Sequence, residues 1–171
     1  MTMTDTQTSK EEFVISRVIN APRERVFDAF TNPDQMRQWF SPKGFTVIAA
    51  KMDLRPGGFY HYGMRGPDGN EMWGKSVYRE IKRPERIVYV NSFSDEAGNI
   101  TRHPMSPTWP RQLLTTILFE EQKKGQTKLT IKWALLEPNE EERATFMGAH
   151  DGMRQGWTGS LDKLTDFIAK A

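Results

Sequence analysis

The sequence predicts an α+β fold in which an antiparallel sheet of about seven strands closes with a long C-terminal helix around an apolar pocket. Strand-like segments joined by short Gly- and Pro-containing turns run from Phe45 to Leu135. Helix punctuation at Ala21-Pro22 and Asn32-Pro33 follows a single earlier strand. An apolar stripe of helical spacing occupies the C-terminal segment.

Phe13 to Ile19 (FVISRVI) is rich in β-formers and ends at Asn20-Ala21-Pro22, where proline suits a first helical turn. The helix that follows, residues 22 to 31, puts Val26, Phe27 and Phe30 on one side. Asn32-Pro33 ends it and opens a second short helix whose apolar end is Met36, Trp39 and Phe40. Six further strands are expected at 45–54, 58–65, 71–81, 86–93, 112–121 and 127–135, the short turns between most of them implying an antiparallel meander. Within them Tyr60, Tyr62 and Met64 share one face, as do Leu129, Ile131, Trp133 and Leu135. The cover for that sheet is the C-terminal segment, where Phe146, His150, Met153, Trp157, Leu161, Leu164 and Ile168 recur at spacings of 4, 3, 4, 4, 3 and 4. A helix over 153–169 is the core of this expectation. Residues 1–12, Thr-rich and polar, read as a disordered tail without the apolar region of a signal peptide, and 13–171 as a single domain.

Composition narrows the function. Cysteine is absent, which removes disulfides, thiolate nucleophiles and sulfur-ligated zinc, and with three histidines no metal site or cofactor is expected. Net charge is +2, and the basic residues are scattered among 22 acidic ones, so nucleic acid is not an expected partner. No apolar run approaches the roughly 20 residues of a membrane span, and a cytoplasmic location is expected. Gly57-Gly58 and Gly66-Pro67-Asp68-Gly69 lack the strand–loop–helix context of a phosphate loop and read as turns.

The element order, together with Ala21-Pro22, Val26-Phe27, Phe30-Thr31-Asn32-Pro33, Trp39, Leu54-Arg55-Pro56-Gly57-Gly58, Gly74, Pro84-Glu85-Arg86-Ile87-Val88 and Gly156-Trp157 with Leu161 and Leu164, resembles one family. These phrases are similar to the bacterial homologues of the Hsp90 ATPase activator's C-terminal domain, the Activator of Hsp90 ATPase homologue 1-like family of the START/Bet v 1-like superfamily. The resemblance covers nearly the whole chain from Phe13. It implies a helix-grip fold, a curved sheet wrapped on the C-terminal helix, with a cavity that in the superfamily holds lipids, hormones, polyketides or aromatic molecules. A minority of members catalyse cyclisation, dehydration or hydrolysis. Two departures stand out: the Pro-rich connection 99–110 (NITRHPMSPTWP), a candidate lid, and the lack of the eukaryotic co-chaperone's separate N-terminal domain.

The candidate cavity lining is Trp39, Tyr60, Tyr62, Met64, Trp73, Phe93, His150, Met153 and Trp157, with Trp109, Trp133 and Met147 adding to the pool of aromatic and methionine surface. His150 falls in the apolar stripe, either as a ligand contact or as a histidine satisfied by a backbone carbonyl. His61 and His103 read as exposed and inert, and Arg55, Glu71 and Arg79 as members of surface ion pairs. Gly148, Gly152, Gly156 and Gly159 fall on one side of a continuous helix, where each costs about 0.8–1.0 kcal/mol relative to alanine. Either the helix starts after Gly152 or the glycines serve a close approach or a pliable entrance.

Three functions follow: a carrier or sensor for a small lipophilic or aromatic molecule, a chaperone cofactor or stress-related interaction protein, or a cyclase- or hydrolase-like enzyme. The third would draw acids and bases from His150, Tyr60 or Tyr62, and Glu71 or Asp53, but no catalytic constellation is recognisable and no catalytic residue is assigned. A homodimer is left open.

Overall fold

The computed structural model describes residues 11–170, and all but the last two residues of the tail at 1–12 lie outside them. The described chain runs β1 (Phe13–Ile19), α1 (Arg23–Thr31), α2 (Pro33–Trp39), β2 (Thr46–Asp53), β3 (Phe59–Arg65), β4 (Glu71–Lys82), β5 (Arg86–Ser94), β6 (Ile100–Thr101), β7 (Leu113–Lys123), β8 (Gln126–Leu135), α3 (Glu140–Gly148) and α4 (His150–Lys170). The strands pair antiparallel in the order β1-β8-β7-β5-β4-β3-β2, with the two-residue β6 attached to β5.

Local chemistry explains the boundaries. Asn32, extended, accepts the backbone N–H groups of Asp34 and Gln35 at 2.9 and 3.2 Å, and Pro33 starts α2 at a position whose N–H has no partner within that helix. The β2–β3 turn needs Gly57 at φ +84° and Gly58, where a Cβ would lie 2.0 Å from the Asp53 carbonyl oxygen.

Strand register gathers the core on one face of the sheet. Phe13, Ile15, Tyr60, Tyr78, Ile87, Ile117, Phe119, Leu129 and Ile131 are buried there under α1, α2 and α4. Met153, Trp157, Leu161, Leu164 and Ile168 of α4 carry the expected stripe, all buried. A hydrogen-bonded ion pair, Arg17 to Asp162 at 2.7 Å, ties β1 to α4. This is the helix-grip arrangement.

The C-terminal stripe differs from a single helix beginning near Met153. It spans two helices that break at Ala149 (φ −98°, ψ 2°). Asn139 starts α3 with a capping box, its side chain accepting the Glu142 N–H while Glu142 accepts the Asn139 N–H. Gly152, Gly156 and Gly159 are helical, so the glycines are not loop residues that precede the helix.

The Pro-rich connection is strapped to α3. Arg102 donates to the carbonyls of Pro107 and Trp109 and to the buried Glu142 carboxylate at 2.8 Å, and Thr145 donates to Thr108 at 2.7 Å. Arg102 holds the Glu142 carboxyl below its usual range.

Candidate functional site

Between the sheet and α4 lies a cavity of about 260 Å³. Its wall draws Tyr62 and Met64 from β3, Met72 and Gly74 from β4, Asn91 and Phe93 from β5, Leu113 from β7 and Trp133 from β8. Met153, Gly156, Trp157 and Ser160 come from α4, Phe40, Ser41 and Pro42 from the segment after α2, and Trp109 and Pro110 from the strapped connection. Spacing 3, 1 and 3 along α4 is one helical face, and alternation in β3 and β5 turns every second side chain inward.

Among the described residues, no Asp, Glu, Lys, Arg or His belongs to the wall. Its one titratable group is the Tyr62 phenol, pushed up to about 12 by burial and therefore neutral near pH 7. Polar atoms are few and mostly engaged. Thr115 donates to Asn91 Oδ1 at 2.6 Å, and Ser160 donates to the Ser41 carbonyl at 3.2 Å. Lys163, its pKa lowered by burial, donates to Ser41 Oγ at 2.7 Å and to the same carbonyl at 3.2 Å, closing a clasp between α4 and residue 41. The Trp133 indole N–H is buried without an acceptor among the described residues. Such orphan donors are uncommon in folded proteins.

Six of the nine expected lining residues border this space: Tyr62, Met64, Trp73, Phe93, Met153 and Trp157. Trp73 does so differently from expectation. It pairs across strands with Gly63, and its ring covers Gly63, where a Cβ would lie 2.8 Å from the indole, and stands 5.4 Å from His61. The register therefore puts the indole on the outer face and leaves the main chain to the cavity.

The other three are placed elsewhere. Trp39 is fully buried under α1, against Phe30 at 4.7 Å, and its Nε1 donates to the Ala29 carbonyl at 2.9 Å. That carbonyl's helical partner would be residue 33, a proline without an N–H, so the indole stands in for the missing donor. Tyr60 lies behind Tyr62, stacked at 5.0 Å, with burial pushing its phenol far above the usual value and its hydroxyl unpartnered. His150 sits between Phe13 and Phe146, at 5.8 and 5.2 Å, off the wall, and its Nε2 is buried without a partner instead of meeting a carbonyl.

Met147 is exposed on α3. His103 packs on Phe93 at 4.6 Å, where burial lowers its pKa, and His61 Nε2 lies 3.1 Å from the Asp95 carbonyl oxygen, so neither ring is free in solvent. Glu71 pairs with Arg65 and Asp53 with Arg55, both away from the wall. Among the described residues no three His, Asp or Glu side chains are grouped to hold a metal, and no helix is long and apolar enough to cross a membrane.

Sequence reasoning missed Phe40, Met72, Asn91 and Leu113 as wall residues. The strand members were legible from parity, since Asn91 is two residues from Phe93 and Met72 two from Gly74.

No curated protein matches the chain. Among solved structures, a Nitrosomonas europaea protein is 19% identical, with 96% of this chain and 97% of that one covered at a TM-score of 0.75. An Arthrobacter aurescens protein is 23% identical, covering 96% and 91% at a TM-score of 0.78, and a Staphylococcus epidermidis protein 25% identical, covering 99% and 94% at 0.72. These likenesses speak to the fold. The profile of the family described as Activator of Hsp90 ATPase homolog 1-like protein matches residues 20–169, and the chain belongs to that family.

Proposed function

We propose that this chain is a single-domain cytoplasmic carrier or sensor that takes one small, uncharged aromatic or lipophilic molecule into the cavity between the sheet and α4. The observation that carries the reading is a void of about 260 Å³ walled by aromatic, methionine and other uncharged residues. An apolar cavity of about 150 Å³ admits benzene, and drug-sized sites begin near 300 Å³, so the space suits about two fused or linked rings. A charged ligand would lose its hydration with no counter-charge on the wall to replace it.

The test is titration with N-phenyl-1-naphthylamine, an uncharged probe that brightens in apolar sites, beside native mass spectrometry of protein purified from its host. Saturable uptake that changes in Trp157→Phe, a wall variant, supports the reading. No uptake up to about 1 mM, weaker than about −4 kcal/mol, together with no bound small molecule, refutes it.

A further inference from the structure

The cavity needs an entrance, and the exposure of its wall residues marks one. Of the described residues that line it, only Pro42 and Gly156 are exposed to solvent, the rest being buried or half-buried. A wall residue exposed to bulk water marks the rim of the opening unless its exposed part lies on the far side of the wall, as the Trp73 ring does. Pro42 follows Ser41, the residue that Ser160 and Lys163 hold against α4. Pro42 and Gly156 therefore belong to the two sides of the seam that the clasp holds, Pro42 next to the clasped Ser41 and Gly156 one turn before Ser160, where a Cβ meets nothing within 4 Å.

Gly156 has no packing reason to be glycine. It is helical, and a Cβ built there meets nothing within 4 Å. Glycine weakens a helix interior, so its presence here costs stability that no neighbouring atom demands. We infer that the ligand passes between Pro42 and Gly156, and that the missing side chain at 156 is the notch in α4 that sets how fast and how large a molecule enters. This rests on the ligand-binding reading above and adds its route.

Gly152 supplies the control. One turn earlier on α4, it too is exposed and a Cβ there also meets nothing within 4 Å, but it is not part of the wall. Stopped-flow mixing of N-phenyl-1-naphthylamine with wild type, Gly156→Leu and Gly152→Leu reads entry and exit. Gly156→Leu is expected to slow both by at least about tenfold, about 1.4 kcal/mol on the barrier, with Gly152→Leu at wild-type rates.

Wild-type rates in both variants, or equal slowing in both, overturn the portal while the ligand reading stands. Absence of uptake by wild type overturns the ligand reading and the portal with it. If Gly156→Leu does not fold, the smaller Gly156→Cys and Gly152→Cys decide, since the chain has no other cysteine. Bound probe should protect the first thiol from alkylation by at least about tenfold and leave the second unprotected, and equal protection overturns the portal.

Discussion

Two tryptophans in the same core provide a matched measurement of the cavity. Trp39 is completely buried in packed surroundings, and its N–H serves the Ala29 carbonyl. Trp157 is 7% exposed, makes edge and tilted ring contacts to Trp133 and Phe40 at 6.0 and 6.4 Å, and turns part of its surface to the void. Truncating a buried tryptophan to alanine costs about 3–5 kcal/mol. For Trp39 the orphaned carbonyl adds about 1–3 kcal/mol, putting the loss at about 4–8 kcal/mol. For Trp157 the atoms that face empty space forfeit no contacts, so the loss falls near the lower end, about 3 kcal/mol. Because a loss of 5 kcal/mol can unfold a domain outright, Trp39→Phe and Trp157→Phe repeat the comparison mildly, at about 2 and 1 kcal/mol. Urea unfolding followed by far-ultraviolet circular dichroism measures all four. Equal losses at the two positions, or a larger loss at Trp157, would refute the placement of a void against Trp157.

Tyr60→Phe removes a buried hydroxyl that has no partner and should leave the thermal midpoint unchanged or raised; a loss above about 1 kcal/mol would mean the hydroxyl is bonded. Glu142→Gln keeps the capping box, which accepts either residue, but removes the charge that Arg102 holds. Because the folded Glu142 pKa is depressed, the wild-type advantage should be present at pH 7 and lost as pH falls below the ordinary glutamate range, about 4.3, through the depressed value. Thermal midpoints of both proteins from pH 7 to acid check this, and a gap that does not change with pH would contradict it.

The fold was legible because its signals are periodic or punctuated. Alternation at Tyr60, Tyr62 and Met64 and the stripe from Phe146 to Ile168 each register burial directly. The helix break was hidden because Phe146, His150 and Met153 keep helical spacing across Ala149, and only Asn139 with Glu142 betrayed the separate α3. The site was less legible for a geometric reason. Hydrophobicity tells whether a side chain is inside, not whether it meets a neighbour or a void, so Trp39 and Trp157 look alike in sequence. Trp73 shows the limit of residue type: an aromatic reads as inward-facing, although strand parity with Gly74 puts the ring outside.

The strapped connection divides the wall into two kinds of residue. Tyr62, Asn91 and Leu113 sit in strands where hydrogen-bond register fixes each position, and replacing one disturbs the row that backs the core. Trp109 and Pro110 reach the same cavity from a segment held by Arg102 and Thr108 to α3, outside the ladder. The pocket's shape is thus adjustable on one side without rebuilding the sheet. Exchanging residues 103–110 while keeping Arg102 and the anchoring threonine is the natural place to retune this protein for a different guest.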